Sequence, residues 1–194
     1  IQIAIMGTTL GALVALPLSF LAARNVMSVR VVYQATRSLF DVCRAVNEIV
    51  WALLFVAMVG LGPFPGVLAL AVHLVGALGR YFSEAIETAN PEVIKAIVAT
   101  GASRTLVVVH GILSEIKPLI IGYVLYYFEH SVRAATILGL VGAGGIGFEL
   151  ITSIRLFKSQ EVLTTLIVMM LMVVAVDRIS AYVRNRIVQV EVIE

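Results

Sequence analysis

Charge is scarce in this sequence. Only 13% of its 194 residues are Asp, Glu, Lys or Arg, whereas about a quarter of the residues of soluble domains are charged. Sixty per cent are hydrophobic and the mean hydropathy is strongly positive, so the composition is that of a membrane protein. The formal net charge of +2 gives no basic surface for nucleic acid, and the basic residues inform mainly through where they fall. A single cysteine, Cys43, excludes an intramolecular disulfide. The three histidines, His73, His110 and His130, are scattered without zinc-type spacing, so no metal site is expected from the linear sequence. No Gly-Lys-Ser/Thr phosphate loop occurs, and ATP hydrolysis is not expected of this chain. Internal repeats, low-complexity tracts and Ser/Pro linkers are also lacking, and residues 1–194 read as one domain.

What is present is a succession of apolar runs. A bilayer core needs about 20 mainly apolar residues in a helix, and the runs at residues 1–23, about 46–61, 64–82, about 117–135 and 162–182 meet that need. The expected fold is therefore all-α, a polytopic helical membrane protein with five transmembrane helices. Pro17 falls inside the first run, where neighbouring helices can satisfy the carbonyl it frees. Ile1 lies directly inside an apolar run with no Met or basic segment before it, so the N-terminal part of the full chain is expected to be missing. A cleaved signal peptide is the other reading of residues 1–23, but no small-residue cleavage site leads into a soluble domain. Cytoplasmic loops collect Lys and Arg. Arg24, Arg30, Arg37 and Arg44 fall in one loop, Arg80, Lys95, Arg104 and Lys117 in or beside a second, and Arg178, Arg184 and Arg186 in the tail. With five spans all three lie on one side, which places the C-terminus in the cytoplasm.

One polar passage interrupts the apolar runs: "TANPEVIKAIVATGASR", residues 88–104. Asn90 is a helix N-cap, Pro91 suits the first helical position because it has no N–H to satisfy, and Glu92 suits the positive helix end. Ile94, Ile97 and Val98 fall on one face. Gly101 can take the left-handed conformation that ends a helix, and Ser103 can cap a second turn running through "RTLVVVHG". The spacing predicts a cytoplasmic helix over about 91–100 with one apolar face to spare. An amphipathic connector on the lipid surface and a docking helix that fits a groove on a cytoplasmic partner both satisfy this pattern.

The passage resembles the loop that ABC importer permeases present to their ATPases, whose usual form is Glu-Ala-Ala, three residues, Gly, nine residues, Ile, one residue, Leu-Pro. Laid on Gly101, this chain offers Lys95-Ala96-Ile97, Gly101, Gly111 and Leu113-Ser114. Ala96, Gly101 and Leu113 match, while Lys95 replaces the acidic residue, Ile97 the second Ala, Gly111 the Ile and Ser114 the Pro. "VNEIVWALLFVAMVGLGPFPGVLALA" (46–71) and "FEHSVRAATILGLVGAGGIGFEL" (128–150), together with "ATGASR", resemble the permease subunit of phosphonate or phosphite ABC importers. The resemblance implies a homodimer in the bacterial plasma membrane with a substrate path along the two-fold axis. It implies two cytoplasmic ABC ATPase subunits that dock on the coupling loop, 84–113, through Asn90, Pro91, Glu92, Lys95, Ala96, Ala99, Thr100, Gly101, Ala102, Ser103 and Arg104. A phosphonate-binding protein outside the cell would deliver substrate. No cofactor is expected in this chain, ATP and Mg being expected on the partner subunits. Methionine or another small solute is the alternative cargo, and a secondary transporter or channel the alternative of another class.

Other features are weighed beside these. "GAGGIG" (142–147) satisfies Gly-x-Gly-x-x-Gly, but a dinucleotide site needs a strand and a βαβ unit around it. Between two membrane spans, Gly142, Gly144, Gly145 and Gly147 instead permit close packing or a gate at the dimer axis. Glu129 and Arg133 stand four apart, on one helix face, and either line the substrate path or neutralise each other. Asn47 and Glu48 are expected at a helix end. Tyr123, Tyr126 and Tyr127 suit bundle packing or an interfacial belt, and His73 suits a hydrogen bond within the bundle.

Overall fold

A backbone surrounded by hydrocarbon has to satisfy its own N–H and C=O groups, and the helix does this within one segment. In the computed structural model, which describes residues 1–27, 29–103 and 106–191 with side chains as far as Arg184, every regular element among the described residues is helical. The helices are α1 (Gln2–Leu21), α2 (Arg30–Ala45), α3 (Glu48–Val59), α4 (Pro63–Thr88), α5 (Pro91–Ala99), α6 (Leu113–Leu138), α7 (Ile146–Arg155) and α8 (Ser159–Glu191). A π-helical turn, Val107–Ile112, leads into α6, and a 3-10 turn, Gly139–Val141, leaves it.

Four stretches are long and apolar enough to cross a membrane: α1, α4, the run Val107–Arg155 and Ser159–Arg184. The second expected span needs correction. α3 has 12 residues, about 18 Å at 1.5 Å per residue, against a hydrocarbon core of about 30 Å. It meets α2 at 87°, and only the bent pair together counts as a fifth crossing. The break has local causes. Val46 is extended, Asn47 caps α3 by accepting from the Ile49 N–H at 2.9 Å, and Gly60, at φ 98°, ends it. Across the bend the Trp51 indole donates to the Cys43 carbonyl at 3.2 Å.

α4 is the central helix, packed against α1, α2, α3 and α6. Helices in lipid associate through close packing of small residues, and the glycines show where. A Cβ on Gly7 or Gly11 of α1 would stand 2.8 or 2.7 Å from the Cβ of Leu70 or Leu74 of α4. On the opposite side of α4, a Cβ on Gly76 would stand 2.6 Å from the Arg44 nitrogen and the Phe40 oxygen of α2. Phe40 is wholly buried there. α8 is the opposite case: within its apolar span almost nothing is covered by the rest of the chain.

The stretch 136–161 holds more structure than its composition predicts. Gly142, Gly144 and Gly145 have positive φ, the region that glycine enters without a Cβ clash. This irregular turn folds onto the α3–α4 corner: the Gly62 N–H donates to the Gly142 carbonyl at 3.1 Å, and a Cβ on Gly66 would meet the Ala143 carbonyl oxygen at 2.8 Å. α7 then starts with Gly147 against the backbone of Gly139 and Thr136. A helix opening on glycines carries weak propensity, and tertiary packing is what makes it form.

Candidate functional site

α5 is the polar helix expected from residues 88–104, and its caps are those expected. The Asn90 side chain accepts from the Glu92 N–H at 2.9 Å, and Pro91 occupies the first helical position. At the other end the Gly101 N–H donates to the Val98 carbonyl at 3.0 Å, with Gly101 at φ 78°. The Thr100 hydroxyl donates to the Ile97 carbonyl at 2.7 Å. Nine residues make barely two and a half turns, too few to be stable alone, so anchoring matters. The Asn90 N–H donates to both carboxylate oxygens of Glu115, at 2.9 and 3.1 Å, so α6 holds the cap of α5. Glu115 carried no signal in the sequence, because its partner is a backbone group far along the chain.

The apolar face of α5 is not left to spare, and this corrects the expectation. Ile94 packs on a cluster formed by Ala23, Ala85, Ile86, Ala89, Ile112 and Ile116, and Ile97 lies against Gly111. Val98 stays exposed, as do Glu92, Lys95, Ala96, Ala99 and Gly101. The surface offered to a partner is therefore mixed, with Val93 and Val98 exposed at 41% and 54% beside Glu92 and Lys95, because only the isoleucines are taken up in seating the helix. Ala102 is partly covered and Ser103 exposed, while Arg104 lies outside the described residues. A groove of about 600 Å³ opens beside α5, lined by Asn25, Pro91, Lys95 and Val108 among others.

The base beneath α5 is stiff. At the end of α4, Glu87 accepts from the Arg24 backbone N–H at 2.8 Å and from the Arg37 guanidinium at 3.0 Å. The Arg24 side chain donates to the Tyr33 hydroxyl at 2.8 Å, which raises its pKa above the ordinary arginine value. Arg37 also lies over the Tyr33 ring, and Asn25 donates to the Ile86 carbonyl at 2.7 Å. The α1–α2 junction is thus clamped to the helix that carries α5. Glu87→Gln removes the charge from two bonds of a half-buried acceptor. The expected loss is about 1–3 kcal/mol, read as a lower midpoint of thermal unfolding in detergent, with Glu84→Gln, an exposed position on the same helix, as the near-neutral control.

Glu129 and Arg133 do share a face of α6, but they do not pair with each other. Arg133 reaches Asp177 of α8 at 3.1 Å, and the buried Glu129 lies 3.5 Å from Arg184 of α8. Two oppositely oriented ion pairs therefore tie α6 to α8. Below them Tyr81, Tyr123, Tyr126 and Tyr127 form a ring cluster, with centroids 5.1 to 5.8 Å apart, on a cavity of about 530 Å³ that Arg184 also lines. Tyr123 and Tyr127 pack against the core, one of the two expected readings, whereas Tyr126 is 52% exposed at the bundle surface. Asn47 makes the expected helix-end bond, whereas Glu48 faces inward toward His73 and His130. That grouping escaped the sequence because its members come from three helices.

The match to known proteins extends over nearly all of this arrangement. Residues 15–189 match the family of binding-protein-dependent transport system inner membrane components. The chain belongs to that family. It is a multi-pass component of an inner-membrane transport system, as the resemblance implied. It is 40% identical over 185 residues to the phosphite transport system permease protein PtxC of Stutzerimonas stutzeri, covering 95% of this chain and 67% of that one. With the phosphate-import permease protein PhnE of Mycolicibacterium smegmatis it shares 36% over 188 residues, 97% of this chain and 35% of that one. The chain thus spans about two thirds of the length of its phosphite-system relatives and about a third of PhnE. In fold it is similar to a chain of the inward-facing MetNI methionine ABC transporter, with a TM-score of 0.80 over 96% of this chain and 91% of that one at 18% identity. An amino acid ABC transporter matches with a TM-score of 0.67 at 15% identity. The matched residues include α5, its caps and the glycine turn after α6.

Proposed function

We propose that this chain is the permease subunit of an ATP-driven ABC importer for a phosphorus oxyanion: a phosphonate, phosphite or phosphate. Two copies of the chain form the path, two cytoplasmic ATPase subunits bearing ATP and Mg dock on residues 90–104, and an extracytoplasmic binding protein supplies the substrate. The C-terminus lies in the cytoplasm, and the transport cycle draws on no nucleotide or cofactor bound in this chain. The observation that carries the reading is α5: an exposed, doubly capped helix whose apolar side is seated on the bundle and whose base is clamped by Arg37 and Glu87. Such a helix transmits force without deforming. ATP-driven approach of the two ATPases would draw the α5 helices together, and rigid-body motion of the clamped α1–α2–α4 unit would switch the path between outward- and inward-open states.

Substrate class rests on the relatives, whose names speak of phosphite and phosphate, whereas the likeness to the methionine transporter is one of fold. Arginine suits an anionic cargo because its planar fork binds oxyanions through paired N–H groups. Arg133, tied to Asp177, is the candidate guide along the path, with Glu129 limiting how tightly an anion is held and the glycines Gly142, Gly144, Gly145 and Gly147 forming the gate. Partly exposed ion pairs contribute about 0–1 kcal/mol, so Arg133→Gln is expected to leave assembly intact while lowering uptake at least tenfold. Failed assembly would make the Arg133–Asp177 pair a structural pin instead.

The decisive experiment reconstitutes the chain in vesicles with its ATPase and binding protein and follows phosphite, phosphate, a phosphonate and methionine. Uptake of the oxyanions that requires ATP is the expected result. Uptake without ATP would indicate a secondary transporter or channel, and a preference for methionine would assign the alternative cargo.

A further inference from the structure

We propose that Glu48, His73 and His130 form a binding site for one divalent transition-metal ion of the zinc class, held where α3, α4 and α6 meet. The Nε2 of His73 lies 3.8 Å from one carboxylate oxygen of Glu48, and the Nε2 of His130 lies 3.5 Å from the other. All three donor atoms fall within 4.8 Å of one another. Hydrogen bonds between nitrogen and oxygen close to about 2.7–3.2 Å, and a charged histidine on a carboxylate closes further, to about 2.7–2.9 Å. Both observed separations are longer than that. Two donors on a tetrahedral zinc with bonds of about 2.1 Å stand about 3.4 Å apart, so donors that lie within 4.8 Å of one another need to close by at most about 1.4 Å to share an ion.

The Val46 carbonyl orients His73 in the same sense. It lies 3.2 Å from Nδ1, which leaves Nε2 on the side of the Glu48 carboxylate. A backbone carbonyl that fixes the tautomer of a ligating histidine is also the usual second partner of such ligands.

The surroundings suit a held ion with one open side. Side-chain exposure is 12% for Glu48 and 15% for His73, but 41% for His130. The first two ligands are enclosed, and the third closes the site from the accessible side, leaving a coordination position for water. Glu48 opens α3 directly after its Asn47 cap, and His130 is braced by the edge of the Tyr127 ring at 6.2 Å. Two imidazoles and one carboxylate select zinc, cobalt, nickel or copper; magnesium and calcium prefer oxygen alone. A bound ion would pin the short helix α3 to the α4–α6 pair. None of this depends on what the chain transports.

The test titrates Co(II), an optical stand-in for zinc, into chelator-washed chain in lipid nanodiscs. Expected are one Co(II) per chain, visible absorption bands of a tetrahedral site, and displacement by Zn(II). Glu48→Gln and His73→Ala are each expected to weaken Co(II) binding at least tenfold, while His110→Ala, at an exposed position away from the cluster, leaves it unchanged. Glu48→Gln keeps the size of the side chain and carries the test alone if His73→Ala does not elute as folded chain. No Co(II) uptake at about 0.1 mM, or equal affinity in parent and Glu48→Gln, overturns the proposal.

Discussion

Gly101→Pro severs this chain from its ATPase: in co-purification the expected yield of ATPase falls at least tenfold, while the permease itself is recovered folded. Two constraints act together. Gly101 sits at φ 78°, and proline is locked near −65°. Its N–H also donates to the Val98 carbonyl at 3.0 Å, a bond that proline cannot make. The end of α5 therefore unwinds, and the exposed residues Lys95, Ala96, Ala99 and Thr100 lose their common surface. The fold tolerates this because nothing lies within 4 Å of a Cβ placed on Gly101. Gly101→Ala separates the two constraints, since it keeps the N–H and pays only the left-handed penalty of about 1–2 kcal/mol; it should retain partial docking. Full recovery of ATPase with the proline variant would remove residues 90–104 from the docking interface.

A second large effect is expected in the bundle itself. Gly76→Ala inserts a methyl group 2.6 Å from the backbone of Arg44 and Phe40. Backbone cannot rotate out of the way as a side chain can, so α2 has to move off α4. Overpacking of this kind typically costs about 1–3 kcal/mol. The cost here is expected at the top of that range, because the displaced helix also carries Arg37 and thus the clamp on Glu87. Gly122→Ala is the matched control: it makes the same chemical change inside α6, where no atom lies within 4 Å, and is expected to be neutral or slightly stabilising through the gain in helix propensity. Thermal unfolding followed by size-exclusion fluorescence compares the two. Equal midpoints would mean that the α2–α4 contact is not tight.

Sequence reasoning reaches the features governed by near neighbours along the chain. The Asn90 cap, Pro91 at the first helical position, Gly101 at the stop and the Asn47 cap are all local, and each is found where the residue types place it. The long apolar stretches are legible for the same reason. Short-range patterns misled where a helix had an unforeseen partner. Residues 46–61 are apolar enough for a span, but Asn47 and Gly60 leave only 12 helical residues between them. Ile94, Ile97 and Val98 form a stripe that reads equally well as facing outward or inward; the bundle takes the two isoleucines. Glu129 and Arg133 have the spacing of an intrahelical pair, yet α8 supplies each with a better-placed partner.

By itself the sequence determined that the chain is helical and lives in lipid, that a short capped helix breaks its apolar runs, and which transport family its segments resemble. Those properties follow from hydrogen bonds and transfer free energies summed over adjacent residues, so a linear reading can total them. Only the tertiary structure decided that Glu115 holds the cap of α5, that Glu87 joins α4 to the α1–α2 junction, and that Glu48, His73 and His130 converge. Each of those depends on the side of a helix that meets another, and a single sequence does not contain that choice until close packing has made it.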